Sequence, residues 1–363
     1  MKYVIDSSQR RAAYQQLYLQ LREDIVGGIY TFGEKLPSKR TVAEEVGVST
    51  VTVEHAYALL CDEGYAEARE RSGFFVVFRT EEGFAAPSRP AVFHPVPHSR
   101  TDASPEFPLS VLTKTMRSVM ADYQQRILER SPNCGTMELR EAIRKYLARS
   151  RGIAADCEQI VIGSGSEYLY GLIVELLGRD RTYAIESPSY KKIEQVYCAA
   201  GVSLLPLPLG NDGIESRALW DAQAQVLHIS PYRSFPSGVT ASASKRHEYL
   251  RWAHSGERFI IEDDFESEFS LSKKAEETLF SHTEHDNVIY MNTFSKTLSP
   301  SFRIGYMVLP HRLVAPFKER LGFYSCTVPT YMQFVLSALL ENGDFERHIN
   351  RVRRKKRKEL LGK

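Results

Sequence analysis

The chain has 363 residues, of which 43% are hydrophobic and 25% charged, and its 47 Lys and Arg against 45 Asp and Glu give a formal net charge of +2. That length exceeds what one hydrophobic core usually serves, so more than one domain is expected, and the near balance of charge means that any electrostatic footprint must be local. No run approaches ~18 apolar residues and the N-terminus lacks a signal-peptide core, which argues against secretion or a membrane span and points to the cytoplasm.

In chain order, residues 15–26 carry the period of an amphipathic helix. Gly33-Glu34-Lys35-Leu36-Pro37-Ser38-Lys39-Arg40 leads into a short helix over residues 41–46, which Gly47 stops. Ser49 is a good N-cap for the next helix, in which Val53, Ala56, Tyr57 and Leu60 fall on one face and leave Thr50, Thr52, Glu54 and His55 outward. Two short helices joined across Gly47-Val48-Ser49 fit a helix-turn-helix, whose second helix enters the major groove. Residues 65–69 and 74–78 flank Glu70-Arg71-Ser72-Gly73 as a hairpin, the wing.

The order helix, helix-turn-helix, wing, with Leu36-Pro37-Ser38-Lys39-Arg40, resembles the GntR winged-helix domain over residues 8–79. The resemblance implies an operator of double-stranded DNA, with Lys39, Arg40 and Arg71 as contacts and Ser49, Thr50 and Thr52 at the groove-facing start of the recognition helix. Where that family commonly has Ser-Arg there, this chain has Ser49-Thr50, so a frequent phosphate or guanine contact is missing. Residues 1–80 hold ten Lys or Arg and eleven Asp or Glu, so the footprint must come from Lys35, Lys39 and Arg40 on one side and Arg69 with Arg71 in the wing.

Residues 80–104 hold Pro87, Pro90, Pro95 and Pro97 among Ser, Ala and His, and read as an extended linker. Beyond it, Pro132-Asn133-Cys134-Gly135 precedes a helical stretch from Glu138. A strand over residues 159–162 runs into the glycine turn Gly163-Ser164-Gly165-Ser166-Glu167 at the head of a helix, where free N–H groups and the positive dipole end suit an anion. Glu186-Ser187-Pro188-Ser189-Tyr190 follows. The apolar run Arg258-Phe259-Ile260-Ile261 predicts a buried strand ending in Glu262-Asp263-Asp264, and Val288-Ile289-Tyr290-Met291 a second one that brings Thr293, Ser295 and Lys296 to the same edge. An aldehyde cofactor needs a primary amine to form an imine, a carboxylate to keep its ring nitrogen protonated, and cationic or hydroxyl donors for its phosphate. All three occur here in order. The five cysteines lack metal-ligand spacing and fit a reducing compartment, and the ten histidines form no paired ligand motif, so no metal site is expected.

This second half resembles a fold-type-I aminotransferase, closest to the domain carried by MocR-type regulators of the GntR superfamily. The implied architecture is multidomain: a winged helix-turn-helix (α+β) over 1–79, the linker over 80–104, an α/β fold-type-I pyridoxal-phosphate transferase-like large domain with a mostly parallel central sheet over 105–350, and a basic stretch over 351–363 that begins an incomplete C-terminal subdomain. The implied cofactor is pyridoxal 5'-phosphate. Lys296 is then its covalent anchor, Asp263 the partner of the pyridinium nitrogen, Tyr190 the aromatic over the ring, and Gly165, Ser166, Thr293, Ser295 and Arg303 its remaining contacts.

Three departures bear on catalysis. Phe265 stands where the family places a tyrosine that donates to the ring oxygen. Arg233-Ser234 replaces a common His-Gln inside Ser230-Pro231-Tyr232-Arg233-Ser234-Phe235-Pro236-Ser237-Gly238. The chain ends at Lys363, before the small subdomain that in relatives supplies an arginine for a substrate carboxylate. The basic run Arg351, Arg353, Arg354, Lys355, Lys356, Arg357 and Lys358 reads as one helix whose charges face water. The expected function is a homodimeric transcriptional regulator that senses pyridoxal phosphate, or an amine or amino acid, through Lys296; the alternative is an aminotransferase with a fused DNA-binding module.

Overall fold

The computed structural model describes residues 3–6, 11–79, 107–265, 267–270, 277–283 and 286–361. It divides into two compact units, Met1–His98 and Ser99–Lys363. The linker expected over 80–104 lies outside the described residues.

In the first unit, α1 (Ala13–Val26), α2 (Lys39–Val46) and α3 (Thr50–Asp62) precede a hairpin of β1 (Ala66–Arg69) and β2 (Gly73–Val76). Leu17, Leu21 and Ile25 of α1 close a core with Val53, Ala56, Tyr57 and Leu60 of α3, the face set by the helical period. Ser38 Oγ accepts the Thr41 N–H, so α2 begins at Lys39, two residues before the helix expected from sequence. Gly47, at φ +78°, ends α2 in the left-handed conformation that lets the chain turn at once into the Ser49 cap of α3. Arg71 sits at the hairpin turn with φ +61°.

The second unit runs α4 (Leu109–Tyr123), α5 (Met137–Arg151), β3 (Ile160–Gly163), α6 (Ser166–Leu177), β4 (Thr182–Ser187), α7 (Lys191–Ala199), β5 (Ser203–Gly210), β6 (Gly213–Ile214), α8 (Ser216–Asp221) and β7 (Val226–Ile229). It continues through α9 (Ala243–His254), β8 (Phe259–Asp263), α10 (Leu279–His282), β9 (Val288–Thr293), β10 (Gly305–Val308), α11 (His311–Leu321), α12 (Thr330–Glu341) and α13 (Asp344–Leu361). The strands form one eight-stranded sheet ordered β3-β10-β9-β8-β7-β4-β5-β6. From β9 to β5 the neighbours are parallel, whereas β10 is antiparallel to both β3 and β9.

Alternate strand residues enter opposite layers, as the pleat requires. Phe259 and Ile261 of β8 pack with α6, α7 and α11, whereas Ile260 packs with α9 and α10. Tyr290 of β9 and Tyr306 of β10 face α5, α12 and α13. A buried polar knot ties that layer together: Arg151 Nε lies 2.8 Å from Asp264 Oδ2, which also accepts from Tyr290 Oη at 2.6 Å. Glu268 accepts from Asn292 Nδ2 at 2.8 Å, and its backbone carbonyl accepts from Arg353 Nε at 2.6 Å. Arg353 therefore turns inward, and Lys356 lies 4.6 Å from the Phe269 ring centre, so two members of the basic run are spent on packing rather than on solvent. Among the described residues no helix is long and apolar enough to cross a membrane.

Candidate cofactor pocket and nucleic-acid interface

Asp263 is the last residue of β8 and is 4% exposed. Tyr170 Oη, from α6, donates to its Oδ2 at 2.5 Å, and His228 Nε2, from the adjacent β7, lies 3.5 Å from the same oxygen. The other nitrogen of that ring, His228 Nδ1, is 2.7 Å from Tyr197 Oη of α7. Burial first, and then the Asp263 carboxylate, push the Tyr170 phenol well above its ordinary range, so it stays a proton donor. Asp263 Oδ1, by contrast, is buried and has no hydrogen-bond partner among the described residues. One carboxylate oxygen is held and the other is offered, and a buried acceptor left unpaired is costly unless a ligand donor meets it. A protonated ring nitrogen fits that demand.

Lys296 reaches the same edge from the neighbouring strand, in the turn five residues after Met291, the residue opposite Asp263 in the β8–β9 register. Its side chain is half-buried. β9 extends to Thr293, two residues beyond the expected strand, because β10 continues to pair with it, Gly305 opposite Thr293. Thr293 Oγ1 lies 3.2 Å from Ser295 Oγ and accepts the Ser295 N–H at 3.2 Å, which joins these two predicted contacts directly.

Arg303 enters β10 from a left-handed position, φ +47°, and reaches back over the head of α6. A Cβ at Gly165 would stand 3.1 Å from Arg303 Nη2, so glycine, itself at φ +94°, permits the approach. Arg303 Nη2 is 3.3 Å from Glu167 Oε2, and Glu167 also takes Lys192 Nζ at 2.6 Å. Lys192 and Arg303 together hold the Glu167 carboxyl below its usual range. The first turn of α6, with Ser166 half-buried, thus gathers two cations beside free helix N–H groups. Lys192 also ties in the first turn of α7, whose N-cap is Tyr190. Tyr190 is 37% exposed and meets Phe235 edge-to-face at 5.9 Å.

At the departure in residues 233–234, Ser234 Oγ donates to the buried Glu186 carboxylate at 2.7 Å, which also accepts the Ser230 N–H at 3.3 Å. Burial pushes Glu186 up to about 7. Arg233 is exposed. Neither Tyr170 nor His228 was singled out by sequence. Tyr170 lies inside a helical apolar run that reads as core, while His228 interrupts the apolar β7, a signal that could have been followed.

In the first unit, Lys39 Nζ donates to Glu54 Oε1 of α3 at 2.9 Å and Arg40 Nε to Glu44 Oε1 at 3.0 Å. Lys39 accordingly pulls Glu54 below its usual range. Ser49 Oγ caps α3 and is 2.9 Å from Thr52 Oγ1, leaving Thr50 exposed and Thr52 half-buried. Arg71 is exposed at the hairpin turn.

Residues 13–76 match the model of bacterial regulatory proteins of the gntR family, and residues 101–361 that of aminotransferase class I and II. The chain is 32% identical over 360 residues to the uncharacterized HTH-type transcriptional regulator YdeL of Bacillus subtilis, covering 95% of this chain and 77% of that one. It is 27% identical over 375 residues to the probable rhizopine catabolism regulatory protein MocR of Rhizobium meliloti, covering 97% and 76%. The chain belongs to the MocR-type regulators of the GntR superfamily. This MocR-type regulator is also similar in structure to the kynurenine aminotransferase of Pyrococcus horikoshii, with a TM-score of 0.61 and 26% identity over 68% of this chain and 64% of that one. A MocR-type chain thus joins a GntR helix-turn-helix domain to an aminotransferase fold of the kind that uses pyridoxal phosphate, and spans just under two thirds of that enzyme's length.

Proposed function

We propose that this regulator binds pyridoxal 5'-phosphate at the carboxyl edge of the sheet and double-stranded operator DNA through α3 and the hairpin, working as a homodimer. The observation that carries the cofactor reading is the unpaired, buried Asp263 Oδ1 beside Oδ2, which accepts from Tyr170. The Pyrococcus horikoshii enzyme of the same fold was solved with PMP, which supports it. Bound there, the cofactor supplies an electrophilic aldehyde on an electron-withdrawing ring. Asp263 would hold the ring nitrogen's proton, Lys296 would supply the amine, and Thr293, Ser295, Arg303 and the Gly165-Ser166 head of α6 would take the phosphate. Tyr190 would supply the aromatic contact to the ring. An effector carrying a primary amine would compete with Lys296, and freeing that side chain is the change the domain can transmit to DNA affinity.

The test is titration of pyridoxal phosphate into the apoprotein. Asp263→Ala is expected to weaken binding at least ~10-fold, about 1.4 kcal/mol, and an unchanged dissociation constant would reject the site. For DNA, Arg40→Ala should weaken binding across many sequences alike, since a phosphate contact positions without specifying. Salt titration checks it: the slope of log affinity against log salt should fall, by less than the full unit of an unpaired cation because Glu44 already holds Arg40, and an unaltered slope removes Arg40 from the interface.

A further inference from the structure

The recognition helix has an unusual inventory. α3 reads TVTVEHAYALLCD and contains no lysine, arginine, asparagine or glutamine. The bidentate donors that read guanine and adenine edges in the major groove are therefore absent from it. Glu54, which could accept from a cytosine amino group, is engaged by Lys39 at 2.9 Å. His55 packs edge-to-face on Tyr14 at 5.7 Å. The Ser49 hydroxyl is spent on the N-cap and shared with Thr52.

What the first turn leaves outward is Thr50 and, next to it, Val51, which is 56% exposed. Val51 takes no part in the core face formed by Val53, Ala56, Tyr57 and Leu60. A single exposed valine is ordinary on a protein surface. This one occupies the N-terminal turn of a helix-turn-helix's second helix, the turn that faces base edges, on an element without Lys, Arg, Asn or Gln.

We propose that Val51 is a specificity-determining residue that reads thymine C5-methyl groups, so that the operator half-site presents thymine rather than guanine to the start of α3. The inference rests on the reading of residues 13–76 as the DNA-binding domain. Thymine is the one base that offers an apolar group in the major groove, and the isopropyl group of valine gains only where it meets one. The Thr50 methyl group extends the same apolar surface along the groove.

The experiment begins with enrichment of a random duplex library on the full-length protein. The enriched pool is then resynthesised with deoxyuridine in place of thymidine, which removes the methyl and leaves base pairing unchanged. Wild type should lose affinity by about fourfold for each contacted methyl. Val51→Ala should bind the thymine pool more weakly and lose correspondingly less on the change to uracil. Because Val51 is exposed, the variant keeps its core, and its thermal midpoint alongside wild type verifies that. Equal wild-type affinity for both pools overturns the inference while leaving DNA binding intact. A uracil penalty as large in Val51→Ala as in wild type assigns the methyl contact elsewhere and removes Val51. Failure to enrich any sequence, with no salt-dependent binding, overturns the DNA-binding reading itself and this inference with it.

Discussion

Replacing Lys296 with alanine is expected to abolish completely the visible absorption band that the proposed complex with pyridoxal phosphate would show. In the proposed site Lys296 is the amine placed to bond covalently to the aldehyde. The remaining proposed contacts come from other elements: Asp263 on β8, Thr293 on β9, and Arg303 held over Gly165 at α6. The cofactor should therefore still bind the variant, more weakly and without the band, which a fluorescence or calorimetric titration would register. A retained band would transfer the role to another lysine. The circular-dichroism spectrum and the DNA affinity of the cofactor-free variant should match wild type, because Lys296 lies in a turn outside every helix and strand.

Arg151→Leu should produce the largest loss of stability. The guanidinium is 6% exposed and stands against Asp264, which is 1% exposed, at 2.8 Å. Removing one partner of such a pair leaves a buried charge uncompensated, at about 3–5 kcal/mol. For a unit of this size that lowers the thermal midpoint by roughly 2–4 °C per kcal/mol. The pH dependence carries a sign. Burial raises the Asp264 and Glu268 carboxyls above their unfolded values, while Arg151 pulls both down. Without Arg151 the folded state retains these protons over a wider range than the unfolded chain does, so stability falls as pH rises through that interval. The deficit against wild type should be smallest on the acid side, where both carboxyls keep their protons without Arg151, and grow as pH rises. Denaturant midpoints at several pH values would show it, and a deficit independent of pH would mean that the charge of the knot is immaterial.

The parts legible in sequence were those written locally. Asp263 closes a strand just after an apolar run, Lys296 sits in a compact polar motif after another, and Gly165 opens a helix; each is visible within a dozen residues. The clamp on Asp263 was not, because it depends on sheet order. His228 meets Asp263 only because β7 lies beside β8, and Tyr170 only because α6 crosses that face. The antiparallel insertion of β10 between β3 and β9 brings Arg303 to Gly165, and no local pattern announces it. At the N-terminus the core face of α3 followed from period alone, whereas the Lys39–Glu54 bridge joins two helices and needed the turn geometry to appear. The same limit explains Arg353 and Lys356, whose charges suggested solvent but whose stems and heads find partners on the layer beneath.

If Lys39 and Arg40 meet phosphates as proposed, their ion pairs with Glu54 and Glu44 have a kinetic meaning for the search of a genome. A cation already neutralised by its own chain releases fewer condensed counterions when it meets a phosphate, since the carboxylate must first be displaced. Residence on random duplex then shortens, and affinity leans on the fit at the groove floor. Sliding becomes brief, hopping frequent, and occupancy of the correct site comparatively insensitive to the ionic strength of the cell.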